Sequence, residues 1–563
     1  MRKAFVAALL ALAVAAACSP EQDGPSQAAG PPEVRGKYDF PSPQPTSRAE
    51  MGWLAASCEL PVEHLRRIRR GYAAGRSPEM IPVPRAPNFF GGFTTYGHSG
   101  PWPYMQRVPL VFYGPGFIRS QGSIRPARAV TVADLAPTLA ELLHTTLPEG
   151  RPGRPVTEAL LPRGRRAGVP RAIVTVVWDG GGTDVLQTWP GAWPVLRDLM
   201  ASGTSVAGAN VGSSPSVTPA IHATIGTGTF PKQHGIVDIP LRIGDRVVAD
   251  SYGGRSPKYL KTTTLADIFD RSTGGASKVG MLAYKGWHLG MMGHGAGIPG
   301  GDKDTAIIVE RSNGALVSNP EYYSLPPYLK EVPGFDADIR RVDGDDGKLD
   351  SRWLGHDMLE DPAELRHTPV WALYQTRLIK ELIRREGYGD DRVPDLFFTN
   401  YKQIDEVGHD WNMLNPEERN ILEYSDAALG DLVSFLNAEI GRRRWVLAMT
   451  ADHGQVPAPT ATGAWPIHIE TFEAWVARHY DVEASELFEN QRPLAFWLNM
   501  DTVRANNIDL EEMADYILKY TIGDDQEPGQ EYPPQYKDRL EEPVFAAAFP
   551  SSKLGEIWRC ATQ

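Results

Sequence analysis

Three short apolar runs in this chain each stop at an acid or an imidazole. RAIVTVVW runs into Asp179, the run before QIDEVGHD leads to Asp405 and His409, and WVLAMT leads through Ala451 to Asp452 and His453. Runs of Val, Ile, Leu, Phe and Trp this short and this continuous predict strands buried on both faces. The fold class they predict is α/β: a doubly wound, mostly parallel sheet sandwiched by helices, with an inserted cap or lid region. In open sheets of that kind ligands collect outside the carboxyl ends of the strands, so the five side chains are predicted to meet along one edge. Further on, ENQRPLAFWLNM predicts a strand and DLEEMADYILKYT an amphipathic helix.

The residue types fit one chemistry. Carboxylates and neutral imidazoles suit divalent zinc, and two metals about 4 Å apart can hold both the attacking and the leaving oxygen of an in-line displacement. In a helix, Asp405 and His409 lie one turn apart on one face. Between the first two clusters runs SVTPAIHATIGTGTFPKQHGI, whose Thr218 is the natural nucleophile candidate. A threonine hydroxyl is weak at its own pKa and needs a metal to attack at neutral pH. Taken singly, an Asp at a strand end is a turn former, and a Thr-Pro is a cap with Pro in the first helical turn. It is the combination that points to a site.

At these residues the chain resembles the alkaline phosphatase superfamily, in particular its branch of type I phosphodiesterases, nucleotide pyrophosphatases and zinc-dependent phosphomonoesterases. The resemblance rests on VVWDGGG, on the Thr-Pro segment with GTGTFPKQHGI, on the D-x-x-x-H pair and on TADHG. It implies one metal held by Asp179, Thr218, Asp452 and His453, and another by Asp405, His409 and one further histidine. The C/S-x-P-x-R pattern of the sulfatases is absent from VTPAI. In the family the further histidine follows the DHG strand; here its flanking pattern, GHSGPWPYMQRVPLVFYGPGF, stands near the start of the chain, with His98 at the ligand position. The chain therefore resembles a circular permutant. His468 is the rival ligand, without that flanking pattern. AYKGWHLGMMGHGAG is similar to the phosphomonoesterase segment in which a Lys-x-Arg pair grips phosphoryl oxygens: Lys285 matches, and Trp287 stands at the Arg position. Ile239 stands where the family carries a phosphate-binding Asn. Monoester and diester substrates both stay open. His222, His234, His288 and His294 are expected to be structural or to support the ligands from behind, and not to be ligands themselves.

Of the three cysteines, Cys18 closes MRKAFVAALLALAVAAAC, a basic start and an apolar run too short to span a bilayer, which reads as an export signal. The small residues before it resemble a lipoprotein cleavage box, with Ala15 in place of the usual Leu, so lipid on Cys18 is one route to the membrane. Cys58 and Cys560 remain to form a disulfide across the permuted seam in an oxidising compartment. The net charge of −12 argues against a polymeric nucleic-acid partner and leaves a small phosphate ester or nucleotide as substrate. The expected organisation is a signal peptide over 1–18, a Pro/Gly/Ser-rich linker over 19–47, a permuted segment over 48–165, and a main catalytic region over 166–563 with a cap at about 241–390. The expected function is an exported, periplasmic or envelope hydrolase of phosphoric esters with two zinc ions, acting through a phospho-threonine; the alternative is a metal-binding lipoprotein on the same scaffold with little or no activity.

Overall fold

A computed structural model of the protein describes residues 51–310, 313–526 and 531–563. The expected signal peptide, Cys18 and linker lie outside the described residues.

Among the described residues the main sheet has nine strands. Ala172–Trp178 runs parallel to Asp395–Tyr401 on one side and to Trp445–Thr450 on the other. Beyond Asp395–Tyr401 come the parallel strands Val279–Ala283 and Thr305–Val309, then the short antiparallel Leu316–Val317. Beyond Trp445–Thr450 lie the antiparallel Leu110–Tyr113, then Thr204–Val206 and Gly122–Ile124. Every residue of the three central strands is buried, which is why their sequences lack a polar face. Alternate side chains feed opposite layers. Ile173 and Val177 pack with Leu139 and Ile221 on one face; Val174, Val176 and Trp178 pack with Leu378 and Leu429 on the other.

The stretch 241–390, expected as a cap, is only partly one. Val279–Ala283 and Thr305–Val309 belong to the main sheet, because these apolar five-residue runs bury both faces like the central strands. The part outside the sheet includes the helix Phe335–Asp343 and the turns leading to Arg366 and His367.

A second sheet of four antiparallel strands forms its own lobe, in the order Phe488–Arg492, Ala495–Leu498, Met80–Pro84, Phe545–Pro550. ENQRPLAFWLNM is thus a hairpin rather than one strand. Pro493 offers no ladder donor, and Leu494 takes a left-handed φ of 65°, so the chain reverses there. The predicted amphipathic helix is present as Leu510–Ile517 and packs its buried face, Met513, Ala514 and Ile517, into this lobe. Residues 48–165 enter both sheets, through Met80–Pro84 and Leu110–Tyr113. Cys58, on the helix Trp53–Cys58, is disulfide-bonded to Cys560, on the helix Leu554–Ala561, with Cα atoms 5.6 Å apart.

Candidate metal and phosphoryl site

The acids meet at the carboxyl ends of the central strands. Asp179 follows Ala172–Trp178, its N–H bonded to the Tyr401 carbonyl at 3.0 Å. The next residue must be glycine: Gly180 has φ +70°, and a Cβ there would lie 3.0 Å from the Cα of Asp405. Its N–H donates to Asp452 Oδ1 at 3.1 Å. Asp405 and His409 lie on the helix Gln403–Trp411, one turn apart, with His409 Nε2 3.5 Å from Asp405 Oδ1. Asp452 and His453 follow Trp445–Thr450, and His453 Nε2 is 3.3 Å from Asp179, 3.4 Å from Asp452 and 3.6 Å from Asp405.

His98 reaches the same place from the N-terminal segment. Its Nε2 is 3.6 Å from Asp405 Oδ1, and its ring stacks on His453 with centroids 3.6 Å apart. His468 is elsewhere, bonded to Asp525 at 3.1 Å. Thr218 opens the fully buried helix Thr218–Thr227, with Pro219 next to it in the first turn. Lys285 pairs with Glu406 at 2.5 Å and lies 4.9 Å from the centre of the Trp287 ring, whose indole N–H donates to Asp250 at 3.1 Å.

Lys402 was not foreseen. Its buried ammonium donates to Asp179 Oδ1 at 2.8 Å, to Asp405, and to Thr218 Oγ1 at 3.3 Å, so it joins the two acid clusters to the hydroxyl. The signal in the sequence was its spacing, three residues before Asp405, which puts both on one helical face. Asn400 was also missed: its amide donates to Asp179 Oδ2 at 2.9 Å and lies 3.0 Å from His222 Nε2. His222 in turn contacts the Thr218 carbonyl at 2.8 Å through Nδ1, and His288 packs edge-on against it. His234 and His294 are tied to Thr224 and Asp267, as structural histidines are.

The electrostatics call for cations. Burial, the largest single influence, opposes ionisation of Asp179 and Asp405, yet the Lys402 ammonium and the neighbouring histidines together outweigh it and hold both carboxyls well below the ordinary range. Asp452, which Lys402 does not touch, is pushed up to about 7 by burial and by Asp179. Burial lowers His453 and its acidic neighbours, Asp452 first, raise it to about 9, whereas burial and His453 drive His98 well below its usual value. Without metal, three buried carboxyls are balanced only by the Lys402 ammonium, a protonated His453 and the raised Asp452, and bound metal ions would take over the charge that these protons supply. Asp452 Oδ2, His453 Nε2 and His98 Nδ1 are buried without a hydrogen-bond partner. Ligand atoms of His98, Asp405 and His453 lie within 4.8 Å of one another, as do those of Asp179, Asp452 and His453. Carboxylate and imidazole donors so placed, with orphaned polar atoms among them, fit a divalent metal. A third such group, Asp179, His222 and His288, lies behind Asp179.

Above the acids opens a cavity of about 360 Å³ lined by Thr218, Lys285, Arg366, Lys402, Glu406 and Arg492, among others. The model of the family described as type I phosphodiesterase / nucleotide pyrophosphatase matches residues 173–559. The chain belongs to that family. It is one of the phosphoric-ester hydrolase families of the alkaline phosphatase superfamily, and its matched span begins in the Asp179 strand and leaves out His98. The chain is 20% identical over 403 residues to the alkaline phosphatase PafA of Elizabethkingia meningoseptica, covering 62% of this chain and 72% of that one. It is 23% identical over 308 residues to the alkaline phosphatase PhoV of Synechococcus elongatus, covering 47% of this chain and 55% of the relative, so it spans about half the length of the latter. A crystal structure of a PafA mutant aligns over 68% of this chain and 85% of its own at 16% identity, with a TM-score of 0.49.

Proposed function

We propose that the protein is an exported, metal-dependent hydrolase of phosphoric esters that works through a phospho-threonine. The observation that carries this reading is the placing of Thr218: its hydroxyl heads a buried helix, borders the cavity, and lies 3.3 Å from the ammonium that also binds Asp179 and Asp405. A nucleophile, acidic ligands and an open approach for substrate thus converge at one point.

Asp179, Asp452 and His453, with Thr218, would hold one zinc ion, and Asp405, His409 and His98 another; bound there, they would supply the positive charge that activates a hydroxyl and steadies a leaving oxygen. Thr218 Oγ attacks phosphorus and forms a P–O bond as the bond to the leaving oxygen breaks, and the threonine proton ends, directly or through solvent, on that oxygen to give the alcohol. Water then attacks the phospho-threonine, freeing Thr218 and releasing phosphate, or a monoester if the substrate was a diester. Lys402 and Lys285 offset charge on the phosphoryl oxygens. Asn400 and His222 hold Asp179 and the start of the Thr218 helix in place.

The role of His98 rests on the proposed permutation, in which residues 48–165 stand ahead of the region they complete. Its contacts with Asp405 and His453, set against those of His468 with Asp525, support that reading. Export rests on the segment 1–18 and fits the Cys58–Cys560 disulfide, since such bonds persist in oxidising compartments. Among the described residues no helix is long and apolar enough to cross a membrane.

Ile239 and Trp287 favour the second reading, a metal-binding relative without turnover. Aryl phosphate mono- and diesters assayed across added zinc separate the two. Hydrolysis that disappears on chelation and returns with zinc is expected; bound zinc with neither ester hydrolysed would overturn the enzyme and leave the binding protein.

A further inference from the structure

Three cations line the cavity besides the buried Lys402: Lys285, Arg366 and Arg492. Glu406 engages the first two, at 2.5 and 3.5 Å, so one carboxylate is shared between them. Arg492 is in no ion pair among the described residues. A terminal nitrogen donates to the carbonyl of its neighbour Gln491 at 3.4 Å, and its Nε is buried without a partner. Asp238 lies on the same cavity wall, close enough to feel the Arg492 charge, with Oδ1 taken by the Ile239 N–H at 2.7 Å and Oδ2 buried and unpaired. A buried N–H and a buried carboxyl oxygen left unmade beside an open cavity are each costly in isolation, and a ligand is the ordinary remedy.

Two of the family's phosphate-gripping positions, those of the Arg and the Asn, do not serve here. Trp287 is tied to Asp250 and stacked by Lys285, and the Ile239 side chain has no polar atom. Arg492 arrives from another element, the hairpin strand Phe488–Arg492 of the second sheet. Its planar fork matches two phosphoryl oxygens in a way that a point charge does not.

We infer that Arg492 grips the dianionic phosphoryl group of the substrate and makes this protein a phosphomonoesterase in preference to a phosphodiesterase. The inference rests on the function proposed above and names its substrate class. With Glu406 cancelling part of the Lys285 and Arg366 charge, Arg492 is the cation left uncompensated. A monoester presents it with a second charged oxygen, whereas in a diester that oxygen is esterified and gains less from the contact.

The test compares zinc-loaded wild type, Arg492→Ala and Arg492→Lys on an aryl phosphate and a bis-aryl phosphate, with calorimetric binding of inorganic phosphate alongside. Arg492→Ala should lower kcat/KM for the monoester by about 100-fold and for the diester by less than about fivefold, and weaken phosphate binding at least about tenfold. Arg492→Lys, which keeps the charge and loses the fork, should recover part of both. Equal losses on the two esters, or phosphate affinity unchanged by Arg492→Ala, would overturn the inference. If wild type turns over neither ester, the hydrolase reading fails by itself, and phosphate affinity alone decides whether Arg492 grips a dianion. Zinc content and melting temperature report on folding; should Arg492→Ala not fold, the same monoester-selective loss is read from Arg492→Lys.

Discussion

Replacing Lys402 with methionine keeps the length of the side chain and removes its charge. The ammonium is buried and donates to Asp179 at 2.8 Å, to Asp405, and to Thr218 at 3.3 Å. Burial alone would lower its pKa, but the surrounding carboxylates, Asp179 and Asp405 first and then Glu406 and Asp452, together outweigh burial and raise it, so the group stays charged at any working pH. In metal-free protein, Lys402→Met leaves two buried carboxylates without their shared counter-ion. Breaking a buried ion pair by removing one partner costs about 3–5 kcal/mol, which is on the order of a hundredfold to several thousandfold in the folding equilibrium at 1.4 kcal/mol per factor of ten.

Zinc bound by the same carboxylates supplies that charge again, and it no longer competes with an ammonium. The variant should therefore bind zinc at least about tenfold more tightly than wild type, and its stability deficit should shrink by the same free energy, about 1.4 kcal/mol or more once zinc is saturating. Urea unfolding with chelator and with zinc, together with calorimetric zinc titration, measures both quantities. A metal-free variant within about 0.5 kcal/mol of wild type, the range of an ordinary surface change, would show that the Lys402 contacts carry little energy. A deficit identical with and without zinc would show that ammonium and metal do not share these carboxylates.

Thr218→Ala should abolish turnover while leaving zinc content nearly intact, because threonine is the weakest of the proposed donors; hydrolysis near the wild-type rate would remove it from the nucleophile role. His98→Ala should lose one zinc per chain and most activity, and His468→Ala should lose neither; the reverse outcome in metal analysis would refute the permuted ligand set. Asp238→Asn tests a pH effect. Burial raises this carboxyl to about 7, so its contribution to stability is complete below about pH 4 and is lost as pH rises through 7. The distance from an ordinary aspartate near 3.9 is worth on the order of 4 kcal/mol. The variant should therefore gain on wild type by up to that amount between pH 4 and 8 in metal-free urea unfolding, and a difference independent of pH would count against the buried, protonated state.

The central strands were legible because burial on both faces leaves few positions for polar residues, so a run such as AIVTVVW, with one threonine among six apolar residues, stands out. The acids that close these runs were legible for the complementary reason: a charge directly after such a strand must emerge at the sheet edge. The second sheet was not. Its strand Met80–Pro84 pairs with Ala495–Leu498 and Phe545–Pro550 across more than 400 positions of sequence, and no local pattern marks such a pairing. Arg492 was hidden with it, as one basic residue among many until the hairpin carries it to the cavity. Lys402 stands three residues before Asp405, a spacing that brings the two side chains together at the start of the helix Gln403–Trp411.

Another long-range pairing, in the main sheet, bears on the permutation proposed for this chain. The metal-site candidates come from residues 98, 179, 405, 409, 452 and 453, yet they converge because Leu110–Tyr113, which follows His98, lies beside Trp445–Thr450, which precedes Asp452. What fixes His98 is therefore its neighbour in the sheet rather than its place in the sequence. Moving a segment from one end of a chain to the other preserves such a neighbour if the two ends lie close together. Among the described residues the first and last helices do: Trp53–Cys58 and Leu554–Ala561 meet, and Cys58 and Cys560 have Cα atoms 5.6 Å apart. A short peptide could span that gap, and opening the chain before the Asp179 strand would return His98 to its position downstream of Asp452 and His453. In the proposed permutation the disulfide stands at the seam; it closes a loop of sequence separation 502, and so would restrict the unfolded chain where a peptide connection would otherwise have done so.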